Sequence, residues 1–163
     1  DIKESTVYSV FDYLYECNYE ARKKLLKNKN RVSKFDSENL MFALICDVLK
    51  NELKAQNLGV SVHVPLNKII RDFSNLNDEE SRFVKGGLSH TDFLIFKNID
   101  KSPILCVEVD GAWFHEQGSK QAKRDEIKNA IFEKIGLKLE RFSTKGSNEK
   151  SRLIGVLLDS LRV

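Results

Sequence analysis

The stretch TDFLIFKNIDKSPILCVEVD, from Thr91 to Asp110, decides the fold. Its two runs, TDFLIF (Thr91 to Phe96) and ILCVEVD (Ile104 to Asp110), are rich in β-branched and aromatic residues. The seven-residue connection KNIDKSP between them suits a hairpin. Both faces of LIF and ILCV are apolar, so helices are expected on both sides of the sheet. Residues 119–135 follow with helical spacing: Ile127, Ala130, Ile131 and Ile135 form the face to be buried, and Gly136 ends the helix. LKLERF (Leu137 to Phe142) is then a further strand. Reaching it through a helix makes it parallel to Ile104–Asp110.

The elements outside this unit extend it. VSVHVPL (Val60 to Leu66) alternates apolar and polar residues and ends near Pro65, as an edge strand does. A helix begins near Ser37, capped by Asp36 or Ser37, and its stripe of Leu40, Met41, Leu44, Ile45, Val48 and Leu49 runs to about Lys54. Residues 67–73 form a short helix, and a turn of helix precedes Gly86-Gly87. Residues 147–161 close the chain with Leu153, Ile154, Leu157, Leu158 and Leu161. The expectation is a three-layer α/β domain with a mixed four-stranded sheet flanked by helices. It spans residues 33–163, behind an N-terminal helical extension over residues 1–32 whose stripe is Val7, Val10, Phe11, Leu14, Ala21 and Leu25.

The 163 residues suit one domain with its own core, and 41% hydrophobic with 31% charged residues is an ordinary soluble balance. No apolar run approaches the ~18 residues of a membrane span, so no membrane partner is expected. The first residues lack the pattern of a signal peptide, so none is expected, and a start at Asp1 suggests a piece of a longer protein. Cys17, Cys46 and Cys106 are far apart, without metal-ligand spacing, and sit among apolar residues. They read as core residues in a reducing cytoplasm.

The chemistry gathers on the hairpin. Glu108 and Asp110, two apart on a strand, point to the same face, roughly 6.6 Å apart along the chain. If the turn centres on Asp100, Asp92 faces Glu108; if it centres on Lys101, Asp92 faces Asp110. Either register brings the facing Cβ atoms to ~4.5–5.5 Å. Three like charges in an apolar setting repel, and a divalent ion relieves the repulsion. Carboxylate donors suit Mg²⁺ or Mn²⁺. The structural alternative is acids at exposed strand ends or acids paired with Lys and Arg. Beyond the acids, Lys120, Arg124 and Lys128 lie four apart on one helical stripe, with Lys123 beside them and Asp125 three before Lys128. The net charge is only +3, and such clusters are ordinarily solvated faces. Flanking a carboxylate site, they fit phosphate contacts. Lys123 or Lys128 is placed to stabilise charge developing on a phosphate. His115 is a candidate acid or base, and Trp113 and Phe114 offer rings for bases. His90 lies near the site, and His63 reads as a packed or edge histidine.

TDFLIF, then CVEVDGAWFH, then QAKRDEIKNAIFEKIGLKLERF resembles the PD-(D/E)xK restriction-endonuclease-like superfamily. Within it, the chain looks closest to the very-short-patch-repair-like branch. It is also similar to the nuclease-like domain at the C-terminus of large bacterial superfamily-one helicases. The resemblance covers about residues 36–142. It implies a metal-dependent DNA endonuclease in DNA repair or processing, in a bacterial cytoplasm, with a helicase domain on the same parent chain. It also implies that Asp92 and Glu108 are metal ligands, joined by Asp110, and that Glu38 is an accessory acid. One position departs from the pattern: Asp110 stands where the superfamily usually has lysine. The lysine is then supplied by Lys123 or Lys128, or is absent. Two other functions are weighed beside hydrolysis: a non-catalytic nucleic-acid-binding module of a helicase, and a protein-interaction domain using Tyr13, Tyr15 and Tyr19.

Overall fold

A computed structural model describes residues 30–110, 120–143 and 148–162. The expected strands β1 (Leu58–Pro65), β2 (His90–Lys97), β3 (Pro103–Asp110) and β4 (Lys138–Ser143) form one four-stranded sheet in that order. The β1–β2 and β2–β3 pairs are antiparallel and β3–β4 is parallel, as the helical crossover requires. The helices are α1 (Asp36–Asp47), α2 (Leu66–Ile69), α3 (Asp78–Lys85), α4 (Lys120–Ile135) and α5 (Glu149–Ser160). This is the three-layer α/β arrangement with a mixed sheet. Among the described residues, no helix is long and apolar enough to cross a membrane. The predicted helix over residues 5–27 and most of the N-terminal extension lie outside the described residues, as do Gly111, Trp113, Phe114 and His115.

Alternation along the strands builds two cores. Phe93, Ile95, Leu105 and Val107 point to one face, against Met41 and Ile45 of α1 and Leu153 and Leu157 of α5. Leu94, Cys106 and Leu139 point to the other, against Ile131 and Phe132 of α4 and Val84 of α3. Fully buried side chains of this size each contribute about 1.5–3 kcal/mol. The register therefore cannot slip by one residue without exchanging the two faces. Asp92, Glu108 and Asp110 share parity with Leu94 and Cys106, so they stand on the α4 side of the sheet.

Three local expectations are corrected. Neither Asp36 nor Ser37 caps α1: Phe35 is the N-cap and makes no side-chain cap bond. The loop in front is held by Asn39, whose amide accepts from Val32 N–H and donates to the carbonyls of Ser33 and Phe35. The helix expected to run to Lys54 leaves α geometry at Asp47 and continues as a π turn over Val48–Glu52. The short helix expected over residues 67–73 is the single turn Leu66–Ile69. At α3 the cap is complete: Asn77 Oδ1 accepts Glu80 N–H at 2.9 Å and Glu80 Oε2 accepts Asn77 N–H at 2.8 Å. Gly136 ends α4 at φ +67°.

Candidate functional site

The hairpin takes the first of the two registers considered. Phe93 pairs with Val107 and Leu94 with Cys106, a constant sum that sets Asp92 across from Glu108. The Asp92 Oδ2 atom accepts the Val109 N–H at 2.9 Å. Burial pushes the Asp92 carboxyl above the usual range; the Val109 hydrogen bond opposes this, and the Glu38 charge adds to it. A half-buried acid beside a second acid is the electrostatic situation that a cation relieves.

Glu108 is buried deeper and is already matched. Lys128 on α4 donates to its Oε1 and to the His90 carbonyl at 3.1 Å. Arg141 sits directly opposite Glu108 in the parallel β3–β4 register, and its Nε donates to Oε2 at 3.1 Å. Arg141 Nη1 also reaches Asn129 Oδ1 at 2.5 Å. Both oxygens of Glu108 therefore face cations.

These groups open into a cavity of about 280 Å³, lined by His90, Asp92, Glu108, Asp110, Arg124 and Lys128, with Phe83 and Leu88 as apolar wall. Arg124 lies 5.9 Å from the Phe83 ring centroid. The basic stripe of α4 is thus divided. Lys128 turns inward to Glu108, Arg124 stands at the cavity, and Lys120 is exposed at the start of the helix. Lys123 pairs instead with Glu79 at 3.2 Å. Of the two lysines considered for the superfamily's lysine role, Lys128 is the one beside the acids. Asp125 accepts from Gln121 at 3.1 Å.

Beside Asp92 stand two histidines, His90 on the same strand and His63 on β1. Donor atoms of His63, His90 and Asp92 all lie within 4.8 Å of one another. The His63 and His90 rings meet edge to face at 5.7 Å. The Glu38 Oε2 atom lies 3.6 Å from His63 Nε2, which brings the expected accessory acid to the site. Among the described residues, His63, His90 and Asp92 are the group that gathers metal-donor atoms this closely; Glu108 and Asp110 are not in it.

Sequence reasoning read His63 as a packed or edge histidine, and it stands exposed on the edge strand β1; Arg141 was not singled out. Val62 pairs with Phe93 and Val64 with Thr91, so His63 between them is level with Asp92. For Arg141, only the parallel register sets it against Glu108.

No curated protein and no solved structure matches the chain. One family model matches residues 35–161, which takes in every described strand and helix. By that match, the chain belongs to the DUF2726 family, a family of proteins of unknown function.

Proposed function

We propose that this domain hydrolyses phosphodiester bonds of DNA with Mg²⁺ or Mn²⁺. The observation that carries the reading is that Asp92, Glu108 and Asp110 line one cavity together with Lys128 and Arg124. The residues fit such an ion by charge. Asp92 is half-buried beside Glu38 and is pushed toward its protonated form, a cost that a bound cation removes. Asp92, Glu108 and Asp110 would hold the ion, with Glu108 exchanging a lysine contact for it. The ion would supply Lewis acidity toward the phosphate and a water ready to attack. Arg124 binds the phosphate at the cavity wall. Lys128 carries positive charge next to the position where negative charge grows as the phosphorus–oxygen bond breaks. Lys120 and Lys123 contact the backbone further out. Trp113 and His115 lie outside the described residues, and their contribution is left to mutagenesis. The resemblance adds a helicase on the same parent chain, work in DNA repair or processing, and a bacterial cytoplasm.

A second reading has its own observation. Both oxygens of Glu108 face cations, which favours a nucleic-acid-binding module that does not cut. One assay separates the two. Purified protein is incubated with supercoiled, linear and single-stranded DNA with Mg²⁺ or Mn²⁺, beside Asp92→Asn and Glu108→Gln. Cleavage lost in both variants supports hydrolysis. Salt-sensitive binding without cleavage of any form supports the second reading. Cleavage that survives both substitutions refutes the assignment of the site.

A further inference from the structure

Asp92 faces two different surroundings. Toward α4 it meets oxygen donors and cations; toward β1 it meets nitrogen. His63 and His90 come from adjacent strands, and each offers a ring nitrogen within 4.8 Å of an Asp92 oxygen and of the other ring. Both histidines are exposed, so an ion can enter from solvent. Behind them stands Glu38, which is only 9% exposed, yet its Oε2 is buried and makes no hydrogen bond. A buried carboxylate oxygen that makes no hydrogen bond is costly, and one that lies 3.6 Å from the His63 ring nitrogen points to a missing cation. His63 also holds φ at +49° inside β1, between two ordinarily paired residues. That conformation is unusual for a strand residue and sets the ring at the cluster.

We infer that His63, His90 and Asp92 form a binding site for a divalent transition-metal ion such as Zn²⁺ or Co²⁺, with Glu38 supplying the second negative charge. Two imidazoles and a carboxylate suit this class of ion, whereas Mg²⁺ prefers an all-oxygen shell and keeps its waters. The site does not depend on DNA hydrolysis and stands whether or not the domain cuts.

The test reads binding and not activity. The chain is freed of metal with a chelator, then titrated with ZnCl₂ by calorimetry and with CoCl₂ by visible absorption. The parent should bind zinc at a single site and give intense cobalt bands of a tetrahedral or five-coordinate nitrogen-bearing site. His63→Asn and His90→Asn should each weaken binding by about 100-fold, and Glu38→Gln by roughly 10-fold, the range known for groups around metal sites. Asn77→Ala, at the α3 cap, should bind zinc as the parent does, which separates loss of a ligand from a general loss of stability. Circular dichroism on each variant confirms that it is folded. Zinc binding that is absent from the parent, indifferent to both histidine changes, or displaced by equimolar Mg²⁺ overturns the inference.

Discussion

Replacing Lys128 with methionine removes the ammonium group while keeping the length of the side chain. In the structure that group donates to Glu108 Oε1 and to the His90 carbonyl. The Lys128 side chain is 12% exposed and that of Glu108 8%, so water replaces little of what is lost. Each hydrogen bond from a charged donor is worth about 1.5–3 kcal/mol, and breaking one partner of a buried pair costs about 3–5 kcal/mol. Arg141 remains on the other oxygen of Glu108, which sets the expectation at the low end, about 3 kcal/mol. For a domain of this size that is roughly 6–12 °C in Tm. With a urea slope of about 2 kcal/mol/M, the midpoint falls by about 1.5 M. Equilibrium urea unfolding followed by circular dichroism measures it. The double variant Lys128→Met with Glu108→Gln should lose less than the sum of the two single changes by at least about 1 kcal/mol, because the two side chains share one interaction. A Lys128→Met protein within about 0.5 kcal/mol of the parent would refute the buried pairing, since that is the range of ordinary surface changes.

Two further outcomes follow from other parts of the fold. Asn77→Ala removes the reciprocal cap of α3 and should lower stability by about 1 kcal/mol, measured by the same unfolding curves; a change under about 0.3 kcal/mol would mean that the cap contributes nothing net. Burial pushes the Cys106 thiol up to about 12, so it stays protonated at pH 8. Iodoacetamide should therefore leave Cys106 unmodified in the native protein and modify it in urea, read by peptide mass; labelling of the native protein at the rate of a free thiol would show that this core face opens readily.

The sheet was legible in the sequence because its central strands β2 and β3 are apolar on both faces, which leaves dense apolar runs whose parity fixes the register. The parallel pairing of β4 followed from the length of the intervening helix alone. The convergence of Asp92 and Glu108 followed from hairpin arithmetic. Other features were hidden for physical reasons. A cap from Asp36 or Ser37 was a local inference, but the loop before α1 is organised by Asn39, whose partners are backbone groups that composition does not reveal. Lys128 and Lys123 look equivalent in sequence, since both are basic residues on one amphipathic helix. Five residues apart, they stand on different faces of α4, one paired with Glu108 and the other with Glu79. Glu108 looked like a free ligand because its strongest neighbours, at positions 128 and 141, are brought to it by folding. The nearness of His63 to His90 and Asp92 depends on β1 lying beside β2, a pairing that no motif announces.

The position of Glu108 between Lys128 and Arg141 also bears on how the chain reaches this structure. Its two cations belong to the helix and the strand that come after it, 20 and 33 residues downstream. Until the crossover closes, the acid has neither, and a β4 strand docked one residue out of place would offer it Glu140 or Phe142 in place of Arg141. The first would set like charges together and the second would strand the carboxylate against a ring. The Glu108–Arg141 pairing thus adds a charge criterion to the apolar one that already favours this parallel register over a one-residue slip.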